Sequence, residues 1–240
     1  MRTKKDTGVP ILETNEIELK AEEVVRYYDP AILDTPSSTP VQGIVEKLVM
    51  EFGLGFYPNV DLGVTKLGSK ILGKTIIKPL SIYVDQSLSD TDRFPFTLAH
   101  ELGHTVFHRG VDIKKSGYEG QELTDEEHDF ITGKKLLKTD RDWIEWQANR
   151  FASALLMPRT SVSSLVVECQ QILGITRNVG QIILTEGGYS MRDYLSIQNQ
   201  VKNIFEVNAT NAEFRLKDLG ILVDQRFLDT KHISQLFQTE

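Results

Sequence analysis

Two histidines and a glutamate have the spacing that a metal-dependent hydrolase needs. They form the motif His100-Glu101-x-x-His104, inside a segment whose apolar positions predict a helix over residues 96–108. On a helix, residues four apart share one face with Cβ atoms about 5–6 Å apart, so both imidazoles can bind one tetrahedral metal ion. Glu101 is rotated by about 100° from His100, which places its carboxylate beside the metal. There it could take a proton from the attacking water and pass it to the leaving amine.

A hydrolytic site of this kind needs a third protein ligand and an open position for water. Residues 141–157, followed by Pro158, predict a second helix in which Glu145, Ala148, Asn149 and Ala152 share one stripe. The two alanines would let this helix approach the first one closely. Glu145 is therefore the candidate third ligand, although its spacing alone also fits a solvated helix carboxylate.

Further candidates lie beside and between these two helices. His108 extends the i, i+4 series but points a further turn away, which favours a place at the helix end or behind the metal ligands. The acidic segment, residues 111–140, is typical of a solvated loop. Its candidate ligands are Glu119, Glu122, Asp125, Glu126, Glu127, His128 and Asp129.

The rest of the chain supplies the elements that position these residues. Helical periodicity marks residues 15–28 and 40–52, and Gly53 stops the second of these helices. Glycines punctuate β-branched runs between residues 62 and 85, which predicts two or three short antiparallel strands. More helical patterns follow residue 158. The predicted fold class is α+β: mainly helical, with a small three-stranded antiparallel sheet beside the helix of the histidine motif.

Composition excludes several classes of protein. The chain has 240 residues, of which 40% are hydrophobic and 25% charged, with a formal charge of −7. These values exclude collagen-like, disordered and disulfide-scaffold chains. The negative charge argues against a protein that wraps nucleic acid or coats anionic membranes. A single cysteine, Cys169, and the lack of a secretory signal or a long apolar run predict a soluble cytoplasmic protein.

Two segments together resemble the ImmA/IrrE family of metallopeptidases. They are Arg93-Phe-Pro-Phe-Thr-Leu-Ala-His-Glu-Leu-Gly-His104 and Glu145-x-x-Ala-Asn-x-Phe-Ala-x-x-Leu-Leu-Met-Pro158. The resemblance covers about residues 15–175. The departure from the family pattern is the spacing of about forty residues between the segments. We interpret the inserted acidic segment as a lid or a substrate-docking loop.

The resemblance implies a zinc-dependent endopeptidase with a thermolysin-like active-site helix. It implies that His100, His104 and Glu145 bind Zn²⁺ and that Glu101 is the catalytic base. It also implies a protein substrate, a helix-turn-helix repressor of a mobile element or a stress regulon. The ligand set suits zinc, and manganese or iron would also bind there.

The expected organisation is a tail over residues 1–14, a metallopeptidase domain over residues 15–175 and a C-terminal helical region over residues 176–240 that packs on it. We expect no direct contact with nucleic acid or membrane. Residues able to stabilise an oxyanion, among which the sequence does not choose, are Tyr83, Tyr118, His108, His128 and Arg109.

Two other functions remain open at this point. One is a non-proteolytic binding module that sequesters a repressor or a toxin-like partner. The other is a DNA-binding regulator, because residues 192–219 have a weak helix-turn-helix pattern in which Arg215 and Lys217 could contact phosphate. Packing of the last helix on the catalytic domain is the favoured use of that segment.

Overall fold

Helices surround one small sheet in the computed structural model, which describes residues 2–118, 122–126, 137–185 and 191–226. The described helices are α1 (Thr14–Tyr28), α2 (Ala31–Asp34), α3 (Val41–Phe52), α4 (Phe94–Phe107), α5 (Asp140–Leu156), α6 (Arg159–Ile172), α7 (Met191–Phe205) and α8 (Ala209–Asp218). The described strands are β1 (Arg2–Thr3), β2 (Pro10–Ile11), β3 (Gly55–Val60), β4 (Ile71–Ile77), β5 (Leu80–Asp85), β6 (Glu122–Glu126), β7 (Ile182–Leu184) and β8 (Leu222–Asp224). The predicted α+β class is confirmed.

The central sheet has four strands in the order β3-β5-β4-β6. Strand β4 pairs antiparallel with β5 and β6, whereas β3 runs parallel to β5. The two antiparallel strands predicted between residues 62 and 85 are confirmed as β4 and β5. The predicted three-stranded antiparallel sheet is wrong, because the sheet has four strands and β3 runs parallel to β5. Strand β3 precedes the glycine-punctuated segment, and β6 comes from the acidic segment. Neither strand has the apolar alternation that identifies a half-buried strand, so the sequence pattern did not reveal them.

Helix α4 lies between the sheet and α5. It contacts β4 and β5 as well as α5 and α3, and most of its residues are buried. A helix that is apolar around most of its circumference belongs in the core, and its few polar side chains then need partners inside the protein. The histidine motif of α4 is therefore built into the core. Among the residues that the structure describes, no helix is both long and apolar enough to cross a membrane.

The N-terminal residues form a short hairpin rather than leaving the fold. Strands β1 and β2 pair antiparallel, and Val9 joins a small apolar cluster with Tyr118, Leu123 and Ile144. The carbonyl of Pro10 accepts a hydrogen bond from Gln147 Nε2 of α5 at 2.7 Å. This hairpin therefore covers the side of α5 that faces the functional site.

The C-terminal helices pack back on the rest of the chain. Helix α7 packs on α6 and α8, and strands β7 and β8 form a parallel pair. Arg215 of α8 is fully buried and makes a bidentate ion pair with Glu18 of α1, at 2.6 and 2.7 Å. Its Nε atom also donates to the carbonyl of Met157. Arg215 is thus unavailable to contact phosphate. The three-part division of the chain stays a prediction.

Candidate metal centre

Helix α4 presents both histidines of the motif on one face. It starts at Phe94, and Pro95 stands in its first turn, where the missing N–H leaves no hydrogen bond unmade. His108 is its C-cap residue. Since His100 and His104 are four residues apart, their Nε2 atoms lie only 3.0 Å from each other.

Helix α5 brings Glu145 to these histidines. A capping box fixes its start, because Thr139 and Asp142 exchange hydrogen bonds between side chain and backbone. Gly103 of α4 lies directly against Ala148 of α5, and a Cβ atom on Gly103 would be only 3.2 Å from Ala148 Cα. The predicted close approach of the two helices is confirmed. Gly103 is the part of that contact which the alanine stripe did not reveal.

The ligand atoms of His100, His104 and Glu145 form a compact triangle. Glu145 Oε2 lies 3.1 Å from His100 Nε2 and 3.8 Å from His104 Nε2. All three side chains are buried, and within the described part of the chain Glu145 Oε2 has no partner with hydrogen-bond geometry. Ligands of a tetrahedral zinc ion at about 2.0–2.1 Å stand about 3.3 Å apart. The three separations lie on both sides of this value, so the donor set fits zinc.

Glu101 lies beside this triangle. Its Oε2 atom accepts a hydrogen bond from Thr75 Oγ1 of β4 at 2.5 Å, whereas no described group bonds to its Oε1 atom. Gly73 of β4 faces the same carboxylate, and a Cβ atom there would lie 2.9 Å from Glu101 Cδ and Cγ. One carboxylate oxygen is therefore held in place while the other is open to exchange a proton.

A chain of hydrogen bonds orients the imidazole of His104. The amide nitrogen of Gln147 donates to a carbonyl of the N-terminal hairpin, so its Oε1 atom faces His108 Nε2 at 2.9 Å. With its proton on Nε2, His108 accepts at Nδ1 from His104 Nδ1, also at 2.9 Å. This arrangement leaves the lone pair of His104 Nε2 pointing into the triangle. Metal-binding histidines generally need such a partner on the second ring nitrogen.

His100 and Glu145 are oriented in the same way. Asn149 Oδ1 lies 2.9 Å from His100 Nδ1, which leaves Nε2 of that ring for a metal. The hydroxyl of Tyr118 donates to Glu145 Oε1, and the guanidinium of Arg141 lies 5.1 Å from the centre of the tyrosine ring. With Oε1 engaged by Tyr118, Oε2 is the oxygen that faces the histidines.

Asp125 enters the site from β6. One of its carboxylate oxygens lies within 4.8 Å of ligand atoms of both His100 and Glu101. In the sheet it stands opposite Gly73, the residue that faces the Glu101 carboxylate. This second cluster could also hold a cation, but it has only one imidazole, which it shares with the triangle. The interpretation of the acidic segment as a solvated loop is wrong for Glu122–Glu126.

Burial and neighbouring charges set the protonation of these groups. Burial raises the pKa of the Glu101 carboxyl well above its ordinary value. Burial lowers the pKa of the His108 imidazole to about 4, so this ring is neutral at pH 7. Burial alone would also lower the pKa of His100, but the charges of Asp125 and Glu145 raise it to about 10. The carboxylates therefore favour positive charge at this position, as a site for a divalent cation must.

Each described candidate for an oxyanion donor either bonds to another group of the protein or lies away from the ligand triangle. Tyr83 lies on the sheet face opposite α4, where it stacks on Tyr57. Arg109 donates its Nε proton to the carbonyl of Thr105. Tyr118 and His108 orient metal-ligand candidates. Four residues considered from the sequence lie outside the described residues: Glu119, Glu127, His128 and Asp129.

The four residues named from the motif and the second helix lie together: His100, Glu101, His104 and Glu145. Nothing in the sequence pattern pointed to Thr75, Gly73 or Gln147 as their neighbours. Thr75 and Gly73 have the period-two spacing of one strand face, but this signal does not say which helix the face meets. Gln147 lies outside the predicted stripe of α5, and only the folded hairpin reveals its partner.

A family model described as the IrrE N-terminal-like domain, peptidase M78, matches residues 68–172. The match spans β4 to α6 and includes every residue of the triangle, together with Glu101 and Asp125. It confirms the family predicted from the two sequence segments. None of the curated proteins matches the chain.

Proposed function

Residues 68–172 are an IrrE N-terminal-like domain of peptidase family M78, a metallopeptidase family, and from this premise we propose that the protein is a zinc-dependent endopeptidase. The observation that supports the proposal most directly is the triangle of His100, His104 and Glu145, with Glu101 beside it. Two imidazoles, one carboxylate and a neighbouring base form the donor set of a hydrolytic zinc site.

In this proposal His100, His104 and Glu145 hold the zinc ion. When bound, zinc polarises the scissile carbonyl and makes a nearby water a stronger acid. Asn149, His108 and Tyr118 keep the three ligands in place from behind, each through one hydrogen bond. Because these partners are fixed in the folded protein, the ligands need little reorganisation to receive the ion.

Glu101 acts as the proton carrier. Thr75 holds its Oε2 atom, so Oε1 is the oxygen that removes a proton from the attacking water. The protonated Glu101 then donates that proton to the nitrogen of the leaving amine. Gly73 leaves the space in which the carboxylate can move between these two positions.

For the substrate we propose a regulatory protein, specifically a helix-turn-helix repressor of a mobile element or a stress regulon. The support is the resemblance to the ImmA/IrrE family. The proposed compartment is the cytoplasm, which is compatible with the free thiol of Cys169. In this proposal the protein affects transcription by cutting the repressor and does not itself bind nucleic acid.

The test compares metal content and substrate retention in wild type and Glu101→Gln. We expect wild type and Glu101→Gln each to bind about one equivalent of zinc, while His100→Ala binds less than about half an equivalent. In an extract of the source cell with added zinc, tagged Glu101→Gln should retain an intact protein that wild type cuts at one site. Glu51→Gln makes the same change on an exposed helix carboxylate and should behave as wild type.

Two results would contradict the proposal. Full cleavage by Glu101→Gln would exclude the assigned base. Equal retention of the same uncut partner by wild type and Glu101→Gln would favour the non-proteolytic binding module instead.

A further inference from the structure

The candidate centre is closed to solvent. His100, Glu101 and His104 have no exposed surface, and Glu145 is only 1% exposed. A peptide bond that is to be hydrolysed must reach the space between Glu101 and the ligand triangle. Some element that covers this space must therefore move, or be replaced, before a substrate can enter.

Strand β6 is the element that lies where a substrate would have to lie. It pairs antiparallel with β4 and forms the outer edge of the described sheet. In the register of this pairing, Leu123 stands opposite Thr75 and Asp125 stands opposite Gly73. Thr75 and Gly73 are the two residues of β4 that contact Glu101 or leave space for it. Of the side chains of β6 that point inward, Leu123 thus lies in the apolar cluster and Asp125 lies near Glu101, the proposed catalytic base.

Side-chain contacts at Leu123 and Glu122 supplement the main-chain pairing of β6 with β4. Leu123 is fully buried in the small cluster with Val9 and Ile144, and Glu122 makes an ion pair with Lys74 at 3.2 Å. A carboxylate oxygen of Asp125 lies within 4.8 Å of ligand atoms of both His100 and Glu101, so it is close to the groups that would act on a substrate. An extended peptide could reproduce every main-chain contact of β6, because such contacts do not depend on sequence.

We propose that the outer edge of β4 is the substrate-binding edge of this peptidase, and that β6 is an internal inhibitory strand that occupies it. This inference rests on the proposed function. The substrate is an extended segment that replaces β6, runs antiparallel to β4 and brings a peptide bond to the position of Asp125. Its specificity comes from the cluster of Val9 and Ile144, which selects an apolar side chain two residues before that position.

Two variants release the strand by different means. Leu123→Asp places a charge in the apolar cluster and should detach β6, whereas Asp125→Ser leaves the cluster intact and clears the space beside Glu101. Thr124→Ala is the matched control, because Thr124 lies on the same strand and faces away from the site. Circular dichroism and thermal unfolding establish which variants fold; Asp125→Ser keeps the test valid if Leu123→Asp does not.

A reversible disulfide tests the opposite case, in which β6 is held on β4 and cannot leave. Lys74 and Thr124 are Cα partners on the outer face of β4 and β6, so the double variant Lys74→Cys/Thr124→Cys can be oxidised to lock the strand in place. The natural Cys169 is buried and does not compete for this disulfide. Reduction with a thiol then removes the cross-link from the same protein, which makes each preparation its own control.

Two readouts are measured on each variant. Hydrogen exchange of the β4 amides in the metal-free protein reports whether the edge is open, and hydrolysis of casein by the zinc-loaded protein reports access to the site. Relative to wild type and Thr124→Ala, we expect Leu123→Asp to show at least about tenfold faster β4 exchange and faster hydrolysis. Asp125→Ser should raise hydrolysis while β4 exchange stays slow. The oxidised double variant should show β4 exchange no faster than wild type and no hydrolysis, and reduction should restore the hydrolysis of wild type.

A synthetic peptide with the sequence of β6, Glu-Leu-Thr-Asp-Glu, probes the edge without any need for catalysis. It should protect the β4 amides of Leu123→Asp, and a peptide with aspartate in place of the leucine should not. Hydrolysis that is equally fast in the locked and reduced protein, or peptides that give no protection, would overturn this inference. An opened edge that binds the peptide but hydrolyses nothing would instead contradict the proposed function.

Discussion

At the scale of single residues, the carboxylates of Glu101 and Glu145 share one unusual property. Each has one oxygen bound by a protein hydroxyl and one oxygen without a hydrogen-bond partner among the described residues: Tyr118 binds Glu145, and Thr75 binds Glu101. A buried carboxylate oxygen without a partner is costly, and proteins keep such groups mainly where a ligand or a reaction uses them. The Oε2 atom of Glu145 lies 3.1 Å from His100 Nε2, and the Oε1 atom of Glu101 is the proposed proton acceptor.

Gly73 is the residue at which this arrangement is most sensitive to a single methyl group. In Gly73→Ala the new Cβ atom would overlap the Glu101 carboxylate, so we expect the base to shift while the metal ligands stay. Hydrolysis should fall by about 10- to 100-fold, because a displacement of about 1 Å at a reacting group has effects of this size. Zinc content, measured by mass spectrometry, should remain that of wild type.

Gly110→Ala is the control for this prediction. A Cβ atom on Gly110 would have no neighbour within 4 Å, so both hydrolysis and zinc content should be unchanged. Wild-type hydrolysis by Gly73→Ala would show that Glu101 is not confined by β4.

At the scale of elements, a buried carboxylate ties the end of β5 to the loop that follows β3. Asp85 accepts hydrogen bonds from the backbone amide of Leu62 at Oδ2 and from that of Ser87 at Oδ1, and Lys70 Nζ lies 3.0 Å from the same Oδ2 atom. Burial alone would raise the pKa of this carboxyl, but the hydrogen bonds from Ser87 and Leu62 lower it to about 2. This network holds together the side of the sheet that lies away from β6.

The lowered pKa predicts how this part of the sheet responds to acid. Because Asp85 binds its proton less readily in the folded state, its stabilisation is complete above its unfolded pKa of 3.8 and is lost as the pH falls towards about 2. We expect Asp85→Asn to lose about 1–3 kcal/mol of unfolding free energy at pH 7 and to differ less from wild type near pH 2.

Urea unfolding between pH 2 and pH 7 measures this difference. Asp6→Asn changes an exposed aspartate and should follow the wild-type curve. A deficit of Asp85→Asn that is the same at pH 2 and pH 7 would contradict the assignment.

At the scale of the whole molecule, one ion pair joins helix α1 to helix α8. Glu18 of α1 and Arg215 of α8 are 197 positions apart in the chain and nearly fully buried. Burial alone would raise the pKa of Glu18, but the hydrogen bonds and charge of Arg215 hold it below its ordinary value. The pair fixes the C-terminal helices against the α1–α5 layer that supports Glu145.

Replacing one residue of this pair should destabilise the protein more than replacing both. We expect Arg215→Met to lower the unfolding free energy by about 3–5 kcal/mol, because Glu18 is left buried without its partner. The double variant Glu18→Met/Arg215→Met should recover much of this loss. Lys217→Met removes an exposed pair on the same helix and should cost less than about 1 kcal/mol. Denaturant unfolding at pH 7 compares the four proteins, and equal losses in Arg215→Met and Lys217→Met would contradict the prediction.

The sequence by itself determined the parts of this protein that depend on short-range geometry. Helix α4 and the common face of His100 and His104 follow from the spacing of four residues, and α5 follows from its own periodicity, with Glu145 on the stripe that meets α4. The family also follows from these two segments. Such features are readable because helical hydrogen bonds and i, i+4 neighbours join residues that are close in the chain.

Only the tertiary structure decided which distant groups complete the site. Strand β6, Asp125 beside Glu101, Tyr118 on Glu145 and the ion pair of Arg215 all depend on contacts between segments far apart in the chain. Strand pairing depends largely on main-chain groups that every residue carries, and an acidic strand with a single buried leucine has the same local pattern as a loop. A buried polar group chooses its partner by position in the fold, which the order of residues along the chain does not reveal.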